Sequence, residues 1–558
     1  MFRRFAAAVV LAVALTSSAR ARTSPAESVD LVALSRIRDE GFARSKVMDT
    51  AQELTDVIGA RLTGSPAMKR ANEWTQKQFA EWGLANAHVE KWGHFGRGWT
   101  FERSVVTMVS PSVAPLVALP KAWTPGTAGP VRGKVKRVRI SSKADFDRYK
   151  GKLEGQIVFL SPARSLTAPD RVPFKRYDDG ELADLARFDI GEAEGRDFSA
   201  FRARRRFQRD LAEFLTSEKV LAAVDESDRD GGIVRVAGAG SREKDESPGV
   251  PSLVMSAEHY NRVLRLVQKK QDVELEIDVK VTWHDEDQDG YNTLGEIPGT
   301  SATGEVVMAG AHLDSWHSGT GATDNAAGSA VVMEAMRILK AVDVKPRRTI
   351  RAALWSGEEQ GLLGSRGYVE QHFGARSDAE EARKSKDMRR PRGPLTLKPE
   401  HAKLSAYFNI DNGTGKLRGI YAQENAAVVP IFRAWLEPLA DLGATTVTSR
   451  DTGSTDHVPF DEVGLPGFQF IQDQADYSTR THHTNVDVYD RLQKEDLMQA
   501  SVVLATFLYQ AATREEPLPR KALTPRELGP QPSPSPEASP DPEADPEPEA
   551  SPSPSPRP

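Results

Sequence analysis

A chain of 558 residues, 39% of them hydrophobic, is too long for one ordinary core and long enough for two folded domains with appendages. Its net charge of −5 arises from Gln531 to Pro558, where six acidic residues face one arginine; the remainder is balanced and lacks the basic excess that nucleic-acid binding requires. With no cysteine, disulfides, thiolate metal sites, a cysteine nucleophile and lipid attachment through an N-terminal cysteine are all excluded.

The first residues have the form of a targeting segment. Arg3 and Arg4 precede an apolar run from Phe5 to Leu15, and Ala19-Arg20-Ala21 offers a small-x-small cleavage site. The run is too short to span a bilayer, so residues 1–21 predict a signal peptide, export to the periplasm or beyond, and no stable membrane anchor. Residues 22–109 form the first part of a catalytic domain. Within them a helix is expected from Pro66 to Trp82, with Ser65 as N-cap and Gly83 just past its end.

Residues 110–285 change character. Short β-rich stretches at Gly133–Ile140, Gly155–Phe159 and Val273–Trp283 surround a charged middle, where Arg202 to Arg209 carries five arginines in the manner of a solvated helix face. Asp285 to Gly290, with Glu296 at the twelfth position, fits the spacing of a calcium loop. The expected flanks are strands rather than helices, and Asn292 stands where an apolar residue belongs, so an acidic turn is predicted.

Strand, loop and helix then alternate through residues 286–515. Glu305–Ala309, Thr349–Leu354, Leu404–Ile410 and Gly467–Ile471 suit buried strands, and Ala326–Lys340 has helical spacing with apolar residues on more than one side. The pattern predicts an α/β fold: a three-layer catalytic domain with a mostly parallel central sheet, interrupted by a β-rich insertion. Residues 516–558, rich in Pro, Ser and Glu, predict a disordered tail.

Polar clusters follow these four strands: His312 and Asp314, then a glycine loop to Asp324; Glu358 and Glu359; Asp411; and His482-His483. Loops beyond the carboxyl ends of parallel strands converge on one edge. Carboxylates with imidazoles suit a pair of zinc ions sharing one water. Asp324 is the natural bridge, with Glu359 and His483 on one ion and His312 and Asp411 on the other. Glu358 is then free to act as general base, and Asp314 can accept the His312 N–H and fix its tautomer. No Gly-x-Ser-x-Gly elbow supports a serine hydrolase.

The phrases HLD, GATDNAAG, WSGEEQGLLGS, NIDNGTG and HHTNVDVYD together resemble the co-catalytic di-zinc aminopeptidase family, which includes bacterial leucyl aminopeptidases and the carboxypeptidase Q group. The resemblance implies an exported exopeptidase acting on free peptide N-termini, with two zinc ions held by His312, Asp324, Glu359, Asp411 and His483 and with Glu358 as base. It favours His483 over its neighbour His482, and implies a peptide or dipeptide substrate. GSTDHVPF, with Ser454, Asp456 and His457, is similar to a family element near the substrate pocket. The insertion resembles a protease-associated domain in LEGQIVFLSP and VPSLVMSAEHYNRVLRLV.

Two departures stand out. Ser377 to Lys403 is an extra charged segment, a candidate pocket lid, and Thr452 occupies a position that is tyrosine in some members. The alternatives are a carboxypeptidase Q-like dipeptidase, a single-zinc glutaminyl cyclase needing only Asp324, Glu359 and His483, and a non-catalytic binding protein. A further di-zinc amidohydrolase group carries a domain between the third carboxylate and the last histidine. Here that gap is only 72 residues, and the large insertion precedes His312.

Overall fold

The four apolar runs become adjacent parallel strands of one sheet in the computed structural model, which describes residues 27–166, 172–187, 199–384, 391 and 393–523. We number the eight strands of this sheet in chain order: β1 (Ala85–His94), β2 (Asp289–Ile297), β3 (Val306–His312), β4 (Thr349–Trp355), β5 (Leu404–Asn409), β6 (Leu417–Tyr421), β7 (Thr446–Thr448) and β8 (Gly467–Gln472). They lie in the order β1-β2-β4-β3-β5-β8-β6-β7. The block β4-β3-β5-β8 is parallel throughout, but β1/β2, β2/β4 and β8/β6 pair antiparallel. The sheet is therefore mixed, and the mostly parallel expectation holds only for its centre.

Both faces of that centre are covered, which is why its strands are continuous apolar runs. Val307, Ala309 and Ala311 face a core shared with two long helices, α2 (Ala327–Ala341) and α4 (Lys494–Thr513), whereas Met308 faces a second core with Trp355, Tyr368 and Tyr407. The second core is closed by α3 (Leu363–His372). Alternation along a strand thus fixes two layers of helix on one layer of sheet. The earlier helix α1 (Pro66–Glu81) starts where expected: the Ser65 side chain accepts from Met68 N, Pro66 opens the first turn, and Gly83 follows with φ +74.

A second eight-stranded sheet lies between β1 and β2 in sequence. It begins at Gly98 rather than near Ser110, because Gly98–Ser110 pairs along its length with Glu274–His284 and so ties the two ends of the insertion together. Its core unites Ile157, Phe159, Val224 and Leu275 with the helix Ala257–Gln268. The acidic turn after His284 joins two strands, with Asp285 on Arg97 at 2.6 Å and Asp289 on Lys91 at 2.6 Å.

The tail prediction needs correction at its start. Residues 516–523 pack on the catalytic domain: Leu518 is buried, its N–H donates to Ser405 Oγ, and Arg520 donates to the carbonyls of His401, Ala402 and Leu404. One apolar anchor and one multidentate arginine are enough to order a segment that composition alone marks as disordered. The leader, residues 1–21, and the remainder of the tail lie outside the described residues. Leu395–Leu397, within the extra segment, forms a two-stranded ribbon with Gly374–Arg376, which immediately precedes that segment, beside α3. Among the described residues no helix is long and apolar enough to cross a membrane.

Gly310 on β3 has no room for a side chain. A Cβ there would lie 2.5 Å from Tyr407 Oη and 2.6 Å from Trp355 Nε1, within the hydrogen-bonded run Trp355–Tyr407–Asn409. Gly310→Ala is therefore expected to cost about 1–3 kcal/mol of stability, from overpacking and loss of these bonds. Guanidinium denaturation checks this, and an unchanged midpoint would mean the Tyr407 ring yields freely.

Candidate metal centre

The carboxyl ends of β3, β4, β5 and β8 bring His312, Glu359, Asp411 and His483 together around Asp324. His312 Nε2 lies 3.2 Å from Asp324 Oδ1 and 3.3 Å from Asp411 Oδ1. On the other side, His483 Nε2 lies 3.1 Å from Asp324 Oδ2 and 2.9 Å from Glu359 Oε2. Asp324 thus stands between two imidazoles, each of which also meets a second carboxylate. His482 is more distant, at 3.9 Å from Asp324 Oδ2, with its ring 3.8 Å from that of His483.

The surrounding chain fixes these groups. His312 Nδ1 donates to the backbone carbonyl of Asp314 at 2.9 Å, which turns Nε2 toward the cluster. The Asp314 carboxylate, expected to take that proton, is 3.6 Å away and accepts from the N–H groups of Glu358 and Glu359 and from Thr63 Oγ1 instead. It orients the glutamate loop, and its main chain orients the histidine. Asp487 does the same for the bridge: it accepts from Thr323 N at 2.7 Å and Asp324 N at 3.2 Å. Gly319 and Gly321 let the intervening loop close, since a Cβ at 319 would meet Thr484 O at 2.6 Å and one at 321 would meet Ser315 Cβ at 2.3 Å. The second sheet reaches in as well. Val236 N donates to His483 O, while Val234 exchanges bonds with the backbone and side chain of Asn485.

Electrostatics follow from so many buried acids in one place. Burial opposes charge on His312, but Asp411, Glu358, Asp314 and Asp324 together hold its pKa well above the usual value. His483 behaves likewise: burial is outweighed by Glu359 and Asp324, and its pKa rises to about 10. For Asp324, the hydrogen-bonding and charge of His312 and His483 overcome burial, so its pKa falls well below normal. Glu359 is pushed up to about 7 by burial and by Asp324 against the pull of His483, and Glu358 is pushed well up by burial, with Asp411, Asp456 and Glu359 outweighing His312. The two imidazoles hold protons because the carboxylates need positive charge.

The pocket candidates occupy different places. Asp456 and His457 are completely buried, and Asp456 lies near enough to His312 and Asp411 to feel their charge. Asp456 accepts from Ser365 Oγ at 2.5 Å, and burial above all raises its carboxyl to about 7. His457 Nε2 donates to the Thr452 carbonyl, and burial lowers its imidazole to about 4. Ser454 is exposed, with a left-handed backbone.

Sequence reasoning missed two residues. Arg61 is fully buried and donates to the carbonyls of Leu313, Leu54, Gly59, Thr320 and Gly321, clamping the loop between His312 and Asp324. Tyr477, five residues before His482, packs its ring 4.9 Å from His482; burial and the charges of Asp324, Asp411, Glu359 and Glu358 keep its phenol protonated. Position relative to the last strand was the only signal for Tyr477, and for Arg61 there was none.

The donors suit divalent metal. Asp324 Oδ2, Glu359 Oε1 and Asp411 Oδ1 are buried without a hydrogen-bond partner, although imidazole nitrogens lie close to two of them. Buried carboxylate oxygens left without hydrogen bonds beside imidazole nitrogens are what divalent cations satisfy, the imidazoles giving up their protons to them. An α/β sheet with this cluster at its strand ends defines a metal-dependent hydrolase.

Residues 292–508 match Peptidase family M28, and together with the relatives below this makes the chain a metallopeptidase. It is 25% identical to carboxypeptidase Q of Rattus norvegicus over 470 residues, 84% of this chain and 85% of the relative. The crystal structure of a peptidase M28 precursor from Shewanella amazonensis SB2B shares the fold with TM-score 0.61 and 23% identity, over 88% of this chain and 98% of that one. A zinc aminopeptidase from Bacillus subtilis does so with TM-score 0.51 and 19% identity, over 84% and 95%.

Asp487 supplies a pH test. Burial and Asp324 raise its carboxyl from 3.8 to about 7, despite the bonds from Thr323 and Asp324. A raised acid contributes stability that is complete below its unfolded pKa and is lost as pH climbs through the folded one. In metal-free protein, the stability of wild type relative to Asp487→Asn should therefore fall by up to about 4 kcal/mol between about pH 4 and 8. A pH-independent difference in denaturation midpoints would contradict this.

Proposed function

We propose that the chain is an exported zinc exopeptidase that hydrolyses peptides at a free N-terminus, as an aminopeptidase or dipeptidase. The observation that carries the reading is the chain of close approaches through Asp324, from Asp411 and His312 on one side to His483 and Glu359 on the other. Two imidazoles and three carboxylates suit two zinc ions, with Asp324 shared, Glu359 and His483 on one, and His312 and Asp411 on the other. When bound, the ions supply Lewis acidity and a water acidic enough to react near neutral pH.

The remaining chemistry belongs to side chains. Glu358 takes the water's proton on a carboxylate oxygen and returns it to the leaving amine nitrogen. Its N–H, held by Asp314, fixes the loop from which it acts. Tyr477, with its phenol protonated, is the donor available to a developing oxyanion where position 452 offers only threonine. Export rests on residues 1–21, with a charged start, an apolar run and a small-residue cleavage site.

A dipeptidase of the carboxypeptidase Q kind is the second reading, favoured because that similarity runs through 84% of the chain, insertion included. The Bacillus subtilis relative described as a zinc aminopeptidase favours the first. Metal analysis should find two zinc ions per chain; one would point to a cyclase-like centre. Free peptides should be cleaved and their N-acetylated forms spared, and cleavage of the acetylated forms alone would overturn the aminopeptidase reading. Glu358→Gln should keep both metals and lose about 10²–10⁴-fold in kcat. Turnover near wild type in that variant would remove Glu358 from the mechanism.

A further inference from the structure

The turn that follows β8 is held from outside by a short strap of the insertion. Lys175 N donates to Ala475 O at 2.7 Å, in an isolated antiparallel bridge, and Thr479 Oγ1 donates to Pro173 O at 2.8 Å. Tyr177 N donates to Asp473 Oδ1 at 2.9 Å, while the Tyr177 carbonyl accepts from Arg418 Nη1 at 3.0 Å. Arg176 carries the charge. Its Nη1 lies 3.1 Å from Asp473 Oδ2 and 2.7 Å from Asp496 Oδ2, and its guanidinium lies 5.3 Å from the Phe174 ring. Both carboxylates are buried, Asp473 directly after β8 and Asp496 in the first turn of α4. Beyond Tyr177 the strap runs into the helix Asp179–Ala186, which packs on β7.

What this turn presents to the cluster is Tyr477. Asp473 and Ala475 before it and Thr479 after it are bonded to the strap, and Ser478 O accepts from Arg229 Nη2 at 3.1 Å, so the insertion grips the turn on both sides of the tyrosine. Gly413 backs the ring: a Cβ there would lie 2.9 Å from Tyr477 Cβ and 3.1 Å from its Cγ. His483 is secured separately, through its carbonyl, by Val236 N and Ser318 Oγ. Asp473 keeps a second arginine in Arg418, at 3.2 Å, whereas among the described residues Asp496 makes its ion pair with Arg176 alone. An arginine shared by two buried carboxylates sets the relative position of the segments it joins, here the strap, the Tyr477 turn and α4.

We propose that Arg176 is a positioning residue for Tyr477: through Asp473 and the bonds of its strap it fixes the turn so that the phenol stays beside the metal-binding cluster. The inference rests on the reading in which Tyr477 donates to the developing oxyanion. Such a donor acts only within about 2.7–3.1 Å of the oxygen it stabilises, and a displacement of about 1 Å costs up to about 100-fold in rate. The strap bonds end at Thr479, short of the histidines, so the effect of Arg176 falls on turnover and not on metal content.

The test is a double-mutant cycle on the full chain loaded with zinc, using an unblocked tripeptide: wild type, Arg176→Met, Tyr477→Phe and the two together, each with its zinc content measured. Tyr477→Phe should lose about 10²–10³-fold in kcat, the cost of one oxyanion donor. Arg176→Met should keep the wild-type zinc content and lose about 10-fold in kcat with KM within about two-fold, and should lose nothing further in the Tyr477→Phe background. Arg176→Lys should recover part of the loss. Where Arg176→Met fails to fold, because Asp496 is left uncompensated, Thr479→Val takes its place in the cycle, with an expected loss of about five-fold for one strap hydrogen bond. Wild-type kcat in Arg176→Met, losses that multiply in the double variant, or a loss that follows zinc content overturns the proposal and leaves the exopeptidase reading standing. Wild-type kcat in Tyr477→Phe ends the oxyanion role and the proposal with it, whereas no cleavage of any free peptide by wild type ends the peptidase reading itself.

Discussion

Crowded negative charge, buried at the carboxyl edge of a sheet, is the constraint to which the rest of the molecule responds. Asp324, Glu358, Glu359, Asp411, Asp314, Asp456 and Asp487 all approach one locus, and His312, His483 and Arg61 bring positive charge to it. Arg61 spends its hydrogen bonds on carbonyls, so its charge acts at a distance. Without further cations, charge balance must come from protonated histidines and protonated carboxyls. That is the pattern of raised and lowered pKa values at this site. A site so arranged binds divalent cations with a large electrostatic gain, because the cost of gathering the acids has already been met by folding.

The fold absorbs that cost through packing. Parallel strands covered on both faces supply a rigid edge, and small residues at Ala309, Gly310 and Ala311 allow β3 to lie close to its neighbours just before His312. The acids are held by main-chain N–H groups: Asp314 by those of Glu358 and Glu359, Asp487 by those of Thr323 and Asp324. Such main-chain bonds fix the direction in which each carboxylate faces, and with it the loops that carry Glu358 and Asp324.

Much of this was legible in the chain. The central strands were visible because burial on both faces leaves unbroken apolar runs, and α1 because Ser65, Pro66 and Gly83 mark its ends with local chemistry. The donors were visible because each closes such a run. What was hidden depends on contacts between distant residues. The antiparallel edges of the sheet have no local signature, and the pairing of Gly98–Ser110 with Glu274–His284 sets the start of the second sheet from its far end. Leu518 and Arg520 find their partners more than a hundred residues away. The Asp314 role inverted for a similar reason: sequence separation places both its carboxylate and its carbonyl near His312, and only the turn after β3 decides between them.

The segment that carries the family likeness, residues 292–508, does not hold its own site together. Arg61 and Thr63, which clamp the loops around His312 and Glu358, precede it. Val234 and Val236, which pin the backbone at Asn485 and His483, come from the insertion. His483 takes a left-handed backbone, φ +63, and its carbonyl is held from both sides, by Val236 N and by Ser318 Oγ. A strained histidine fixed in this way couples shifts of the second sheet to the cluster around Asp324. The insertion is thus tied to the cluster as well as being a second folded unit, and Val234 and Val236 hold the backbone of residues more than two hundred positions later.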